Sequence, residues 1–189
     1  MSLLNFQKPD KIILQKADEF DGQFEFKPLE PGFGQTIGNS LRRVLLSSLE
    51  GYAISSIRIA GVDHEFSTIK GVVEDVIEIV LNIKQIRLKN KLEDPDLEEE
   101  KIYLTLKGKE EFRAGDIEDH TNVFSVTNPD LLICTMDPSV NLEMEFTVTK
   151  GRGYVQADEN LPEDSTIGII PVDAIYTPIK NVHYSIENT

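Results

Sequence analysis

The stretch FKPLEPGFGQTIGNSLRRVLLSSLEG, residues 26–51, contains the change from strand to helix on which the fold depends. Two prolines exclude a helix at its start, and the glycines of the GFG sequence permit a tight turn. Thr36 is then a suitable N-cap for a helix over residues 36–49, and Gly51 is a suitable residue for its C-terminal end. The pattern predicts an extended segment, a turn and one amphipathic helix.

The predicted helix has two different faces. At 100° per residue, an arc of about 140° collects the apolar side chains that would form a packing face, namely Ile37, Leu41, Val44, Leu45 and Leu49. Leu46 projects from the opposite side, between Arg42 and Arg43. Because arginine and large apolar groups are enriched where proteins meet, this side is a candidate contact with another protein. A lone surface leucine is an equally good interpretation.

The same segment resembles the signature of the bacterial RNA polymerase alpha subunit family, in its N-terminal assembly region. Three further stretches carry the resemblance, in the family's order and spacing: GVDHEFSTIKGVVEDVIEIVLNIK at 61–84, KGRGYVQADEN at 150–160 and PVDAIYTPIKNVHYSIEN at 171–188. Residues 90–137 are much less diagnostic. The sequence stops at residue 189, where the family continues with a further helix, a linker and a helical DNA-binding domain. It therefore resembles a shortened form of the family.

The resemblance implies an α+β fold with a discontinuous domain. A dimerisation domain would be built from residues 1–51 and 178–189, and an inserted, β-rich α+β domain would occupy residues 52–177. The charge distribution gives weak independent support, because both ends are close to neutral. Residues 53–178 carry 12 basic and 25 acidic side chains, which is nearly all of the net charge of −14.

The function that the resemblance implies is a non-catalytic assembly subunit. Such a subunit forms a homodimer that recruits the beta and beta-prime subunits of the polymerase. By matching positions, the dimer interface would contain Phe33, Ile37, Leu41 and Leu45. The candidates for contact with the large subunits are Arg43 and Leu46 with Arg42 close by, and also Lys84 and Val172.

Periodicity predicts the remaining elements. Val73, Val76, Ile77 and Val80 would share the packed face of a second helix over residues 72–83. Alternating or β-branched segments predict strands at 11–17, 22–29, 52–60, 86–92, 101–107, 131–136, 140–150 and 179–186. The acidic run EDPDLEEE at 93–100 predicts a solvated loop.

Composition excludes several classes of protein. Cys134 is the single cysteine, so an internal disulfide and a cysteine-rich zinc site are excluded. No apolar run approaches the ~20 residues of a membrane span, and no secretory signal is recognisable, which predicts a cytoplasmic protein. The acidic charge would repel a phosphate backbone, so we expect no direct DNA contact.

The motifs for cofactors, metals and nucleophiles are incomplete. The glycines at 32–38 read GxGxxxG, one residue too long for a dinucleotide fingerprint. None of the three histidines has a partner at metal-ligand spacing, and no serine or cysteine has a nearby base. We therefore expect no cofactor, no metal and no catalytic site. Two alternatives stay open: a small nucleotide-binding protein that uses the glycine turn, and a stand-alone acidic interaction module.

Overall fold

The fold is a discontinuous α+β arrangement, as predicted. The computed structural model describes residues 9, 11–18, 20–92, 96–161 and 167–187. The chain divides into two compact units. Residues 1–45 and 181–189 form what we call the terminal unit, and residues 46–180 form the inserted unit.

The terminal unit contains a β-hairpin and most of one helix. Strands β1 (Lys11–Ala17) and β2 (Gly22–Lys27) pair antiparallel, at the positions predicted for them. Ile12 lies opposite Phe26, and Leu14 lies opposite Phe24, so these apolar residues share one face of the hairpin. Helix α1 follows at Phe33–Ser47, and only its last two residues fall within the inserted unit.

Both predicted ends of α1 were wrong. The helix begins at Phe33, whose amide donates to the Glu30 carbonyl over 3.1 Å, so Thr36 is one turn inside the helix and is not its N-cap. Gly32, with φ +89°, makes the turn that precedes it. The helix ends at Ser47, and Gly51 lies within strand β3 (Glu50–Ile59). Gly51 is needed there because a Cβ would meet the Tyr176 carbonyl oxygen at 1.9 Å.

The inserted unit is organised around a six-stranded antiparallel sheet, in the order β5, β9, β3, β4, β7, with β11 also paired to β3. Two smaller pairs, β6 with β8 and β10 with β12, complete the β structure that the described residues contain. After β3, the strands are β4 (Leu88–Asn90), β5 (Glu99–Lys107), β6 (Glu111–Arg113), β7 (Phe124–Val126), β8 (Leu132–Thr135), β9 (Asn141–Arg152), β10 (Tyr154–Val155), β11 (Ile169–Pro171) and β12 (Ala174–Ile175). The helices are α2 (Val76–Ile83), the short α3 (Gly115–Glu118) and a 3₁₀ turn at Ala157–Asn160.

The hydrophobic core lies within the inserted unit. Along β5, Ile102, Leu104 and Leu106 point into it while their neighbours are exposed, which is the alternation expected of a strand with one buried face. In β3, five successive residues from Ala53 to Ile57 are buried, because this central strand is covered on both faces. The strands predicted at 52–60, 86–92, 101–107, 131–136 and 140–150 correspond to β3, β4, β5, β8 and β9.

Helix α2 begins later than predicted, and its buried face overlaps the predicted one only in part. Its N-cap is Asp75, which accepts a hydrogen bond of 2.8 Å from the Glu78 amide, and the Glu78 side chain accepts one from the Asp75 amide. This is a capping box. The buried side chains are Val76, Ile79 and Ile83, whereas Val73 and Ile77 are exposed. The predicted face is confirmed at Val76 and at Val80, which packs partly buried against the core, and it is wrong at Val73 and Ile77. Val73 precedes the helix, so a count of 100° per residue from it does not apply.

The strand predicted at 179–186 was also wrong. Residues 179–187 have no strand conformation, because alternation alone does not form a strand without a neighbour that pairs with it.

The acidic run at 93–100 is divided. Residues 93–95 lie outside the described part of the chain, residues 96–98 are not in a strand, and residues 99–100 begin β5.

Candidate protein-docking surfaces

Helix α1 has no buried residue along its length. On its predicted packing face, Val44 is 49% exposed and Leu41 is exposed as well. Phe33, predicted for the dimer interface, is also exposed. Ile37 and Leu45 are half-buried. A helix with an apolar face normally covers that face against other elements. The apolar face of α1 therefore offers uncovered surface to a further protein chain.

The rest of the terminal unit shows the same property. Among its described residues, none contributes a side chain to the hydrophobic cores of the chain. The apolar face of the hairpin is open, with Ile12, Leu14 and Phe24 all exposed. Burial of apolar surface is the main favourable term in folding. The described residues of this unit therefore leave much of their apolar surface uncovered.

Two glycines of α1 allow the C-terminal segment of the terminal unit to lie against the helix. A Cβ on Gly38 would come within 2.5 Å of the Tyr184 ring, and one on Gly34 within 3.2 Å of the Ile186 side chain. The side-chain amide of Gln35 donates a hydrogen bond of 2.7 Å to the Tyr184 hydroxyl. Gly34 and Gly38 thus allow residues 184–186 to pack closely against the helix. This packing explains the presence of both glycines without a bound nucleotide.

The two arginines of α1 are exposed, and Leu46 between them is half-buried. The sequence therefore predicted correctly that Arg42 and Arg43 lie at the surface. Leu46 offers only part of its side chain to a partner. An exposed guanidinium group can donate to a carboxylate with two parallel hydrogen bonds, which fixes orientation as well as adding energy.

Lys84 follows α2 and is held by an acidic residue of its own unit. Its ammonium group lies 3.4 Å from Asp173, and both side chains are partly exposed. Burial raises the pKa of the Asp173 carboxyl, but hydrogen bonds from the Ala157 amide, the Tyr154 hydroxyl and Lys84 outweigh burial and hold the pKa below its ordinary value of 3.8. Because Lys84 and Asp173 both reach the surface, a partner would meet them as a pair.

Val172, by contrast, is completely buried. Its side chain belongs to the main core of the inserted unit and presents no surface to a partner. The prediction that Val172 itself contacts a large subunit is therefore corrected. Its neighbour Asp173 is the residue of this turn that reaches the surface.

The structure shows one apolar surface that the sequence reasoning missed. Val73 is 78% exposed and Phe66 is 75% exposed, and the surface is completed by Ile77, Leu81 and Leu132. Two hydrogen bonds join the segments that carry these residues, since the Val76 amide donates to the Ser67 carbonyl over 3.2 Å and the Asn82 side chain donates to the Ile133 carbonyl over 2.9 Å. We call these five exposed residues the α2 patch.

The signal for the α2 patch was present in the sequence. Ile77 and Leu81 are spaced by four residues on α2 and are exposed, and Val73, which precedes the helix, is exposed as well. They are distinct from Val76, Ile79 and Ile83, which are buried. Exposed apolar side chains of this kind are candidates for an interaction site.

The basic residues near β10 are compensated inside the inserted unit. Glu50 forms salt bridges with Arg152 and, over 3.0 Å, with Lys150. Hydrogen bonds from Arg152 and then Lys150 lower the pKa of Glu50. These cations therefore form no separate positive patch, and the structure adds no support for a nucleic-acid contact at this position.

Chemically reactive groups are few in the described part of the chain. Cys134 is buried, and burial, with Glu74 nearby, raises the pKa of its thiol to about 12. No group of three or more His, Cys, Asp or Glu side chains is placed to hold a metal ion in the described ranges. No helix among them is both long enough and apolar enough to cross a membrane.

Comparison with known proteins decides the family. Residues 57–177, which lie within the inserted unit, match the family described as the RNA polymerase Rpb3/RpoA insert domain. The chain belongs to this family. The match confirms the resemblance that the sequence motifs predicted.

Curated relatives extend the similarity over the whole chain. It is 57% identical over 188 residues to the DNA-directed RNA polymerase subunit alpha of Flavobacterium psychrophilum. It is also 57% identical over 189 residues to that of Cytophaga hutchinsonii, and 53% identical over 188 residues to that of Bacteroides fragilis. Each of these alignments covers 100% of the chain and 56% of the relative. The chain thus spans little more than half the length of the relatives that it matches.

Proposed function

We propose that this chain is the assembly portion of an alpha subunit of bacterial DNA-directed RNA polymerase. In this role it forms a homodimer through α1 and recruits the beta and beta-prime subunits. Its similarity to RNA polymerase alpha subunits along its whole length supports the role in transcription. The exposed apolar face of α1 is the single structural observation that best supports assembly.

The dimerisation step rests on the terminal unit. A second copy would cover the apolar side chains of α1 that one copy leaves open, namely Phe33, Ile37, Leu41 and Leu45, together with Val44. In a two-fold dimer the same surface of each copy forms the interface, so the apolar face of α1 on one copy would cover the same face on the other. Apolar burial contributes roughly 25 cal/mol per Å², so covering a few such side chains provides several kcal/mol.

The recruitment of large subunits rests on two further surfaces. Arg42 and Arg43 would pair with carboxylates of the beta subunit, and the exposed part of Leu46 would supply apolar contact. On the inserted unit, the α2 patch offers exposed apolar groups and the pair of Lys84 and Asp173 offers partly exposed charged groups, and together they would form a second mixed surface of the kind found at protein interfaces. We assign this second surface to a large subunit too.

The catalytic chemistry would belong to another subunit of the complex. RNA synthesis requires carboxylates that hold Mg²⁺ close together. The sequence contains no compact cluster of carboxylates with that spacing. We therefore propose that the chain takes part in nucleotidyl transfer only as an assembly scaffold. We place it in the cytoplasm, where transcription occurs in bacteria.

The dimerisation proposal is tested by measuring mass in solution. Light scattering coupled to size-exclusion chromatography should give twice the chain mass, and Leu41→Asp should shift the mass towards that of one chain. Val73→Asp, the same type of change on the inserted unit, should leave the dimer mass unchanged. Cys134 should stay unreactive towards a thiol reagent in both variants, which shows that the inserted unit is folded. A monomer at every concentration would overturn dimerisation.

The two alternative functions have separate tests. A nucleotide-binding protein would be stabilised by ATP with Mg²⁺, whereas the assembly role predicts no thermal shift, because a ligand stabilises only a protein that binds it. A stand-alone acidic module would not co-purify with the two largest polymerase subunits when all are expressed together. Co-purification is the result that the assembly role predicts.

A further inference from the structure

Strand β5 is the long edge of the six-stranded sheet. It pairs with β9 alone, in an unbroken register that runs from Glu99 opposite Thr149 to Lys107 opposite Asn141. In the described part of the chain, no backbone group of residues 99–107 forms a hydrogen bond on the side away from β9. An antiparallel strand directs half of its amides and carbonyls to each side. The outer edge of β5 is therefore an open row of donors and acceptors.

This edge has few of the devices that normally protect an edge strand. Proteins blunt such edges with proline, with bulges, with short strands or with lysine side chains. β5 has nine residues, no proline and no shift of register. Its two lysines lie towards its ends: Lys107 is the last residue, and the ammonium group of Lys101 lies 3.2 Å from Glu145 on β9. The middle of the edge is left with Tyr103, which is 64% exposed.

The charge around the edge selects the kind of partner. Glu98 and Glu99 are exposed at the start of β5, and Glu143 is exposed on β9 opposite Thr105. None of these three carboxylates forms a salt bridge with another described residue. Lys150 and Arg152 line the same cleft as Glu98 and Glu99, but both are paired with Glu50. The inserted unit as a whole carries 13 basic and 26 acidic side chains, so a second copy of it would be repelled. A positively charged segment would be attracted.

We propose that the outer edge of β5 binds an extended, basic segment of another protein, which adds to the sheet as a further strand. Backbone hydrogen bonds along residues 99–107 would supply affinity, as in other cases of strand addition. A basic side chain beside Glu99 and an apolar or aromatic one beside Tyr103 would supply selectivity. This site uses other residues than α1 and the α2 patch, and it does not depend on the polymerase role.

The test uses three fluorescein-labelled nonapeptides as probes. One alternates arginine and valine, the second alternates glutamate and valine, and the third is the arginine peptide with two prolines. Binding is followed by fluorescence anisotropy at about 0.1 M salt, where charges more than about 10 Å apart are screened. Amide hydrogen exchange of residues 99–107 locates the bound peptide.

The arginine peptide should bind and should slow exchange within β5 by about tenfold or more, because new hydrogen bonds protect the edge amides. The glutamate and proline peptides should do neither. Glu99→Lys should weaken binding by about fivefold or more, whereas Glu159→Lys, an equal charge change on the 3₁₀ turn, should change it by less than about twofold.

Three results would overturn the proposal. The first is that the arginine peptide gives no protection of β5, and the second is that the proline peptide protects β5 equally well. The third is protection of β5 that rises with the concentration of the chain alone, since a second copy would then be the occupant. All three readouts are independent of dimerisation through α1, so failure here leaves the assembly role unaffected.

Discussion

Gly51 lies directly against the backbone of Tyr176, in the inserted unit. A Cβ at position 51 would stand 1.9 Å from the Tyr176 carbonyl oxygen, which no side-chain movement can relieve. Gly151, opposite Gly51 on β9, faces the ring of the same tyrosine at 2.6 Å. The Tyr176 hydroxyl in turn bonds to Thr149 over 2.7 Å. Two glycines on paired strands thus make room for one tyrosine.

The first prediction follows because Gly51 faces the backbone of Tyr176, whereas Gly151 faces its ring. Gly51→Ala should lower the free energy of unfolding by about 3 kcal/mol or more, because the backbone must move. Gly151→Ala should cost less, since the ring can be displaced. In a Tyr176→Ala background the cost of Gly151→Ala should largely disappear, while the cost of Gly51→Ala should persist. Urea unfolding of wild type, the three single variants and the two double variants measures this, and equal rescue of both alanines would contradict it.

The second prediction concerns the glycine of α1 that Tyr184 covers. Alanine is favoured over glycine in a helix by about 1 kcal/mol. Gly38→Ala should nevertheless free residues 181–187 from the helix, because its Cβ would stand 2.5 Å from the Tyr184 ring. Faster amide exchange or proteolysis of this segment would report the release. In a Tyr184→Ala background the sign should reverse, so that Gly38→Ala stabilises the helix. Unchanged exchange in the single variant would argue against the contact.

The third prediction concerns the start of α2. Asp75→Ala removes the side chain that accepts from the Glu78 amide and should cost about 1 kcal/mol of unfolding free energy. Asp75→Asn should recover most of it, because asparagine caps helices nearly as well. Asp63→Ala, a matched change at an exposed residue of the same unit, should have little effect. If Asp75→Asn were as harmful as Asp75→Ala, charge and not capping would be the cause.

The fourth prediction concerns the pH dependence that Asp173 confers. The pKa of this carboxyl is lower in the folded protein than its ordinary value of 3.8, so folding is favoured by its ionised form. Its contribution to stability is present in full above about pH 3.8 and is lost as the pH falls through the lower, folded-state pKa. Wild type should therefore be more stable than Asp173→Asn at pH 6, and the difference should shrink below pH 4. A constant difference would exclude the linkage.

The elements that the sequence predicted well are those with strong local patterns. The strands that became β5 and β9 alternate clearly, and the hairpin and both of these strands pair with a neighbour. The discontinuous α+β fold came from the family motifs and not from periodicity. Arg42 and Arg43 were placed correctly at the surface because their positions on α1 follow from helix geometry alone.

What the sequence did not predict depends on contacts between distant residues. Gly51 looks like a helix terminator, yet it is required in β3 by Tyr176, which is 125 positions later in the sequence. Val172 was predicted to contact a partner, but it directly follows β11, which pairs with β3, and its side chain is buried in the core. The α2 patch was not predicted because the start of α2, and with it the exposed side of the helix, is set by the capping box of Asp75 and Glu78.

The fifth prediction tests the role of the arginines on α1. Arg43→Ala should weaken capture of the beta subunit by about tenfold or more, since truncating a central arginine of an interface commonly costs over 1 kcal/mol. Lys89→Ala, which removes an exposed cation of the inserted unit, is the matched control and should leave capture unchanged. Both variants should keep the wild-type unfolding midpoint, because neither side chain is buried. The measurement is a pull-down titration of purified beta subunit with tagged chain. Equal capture by Arg43→Ala and wild type would remove this residue from the docking surface.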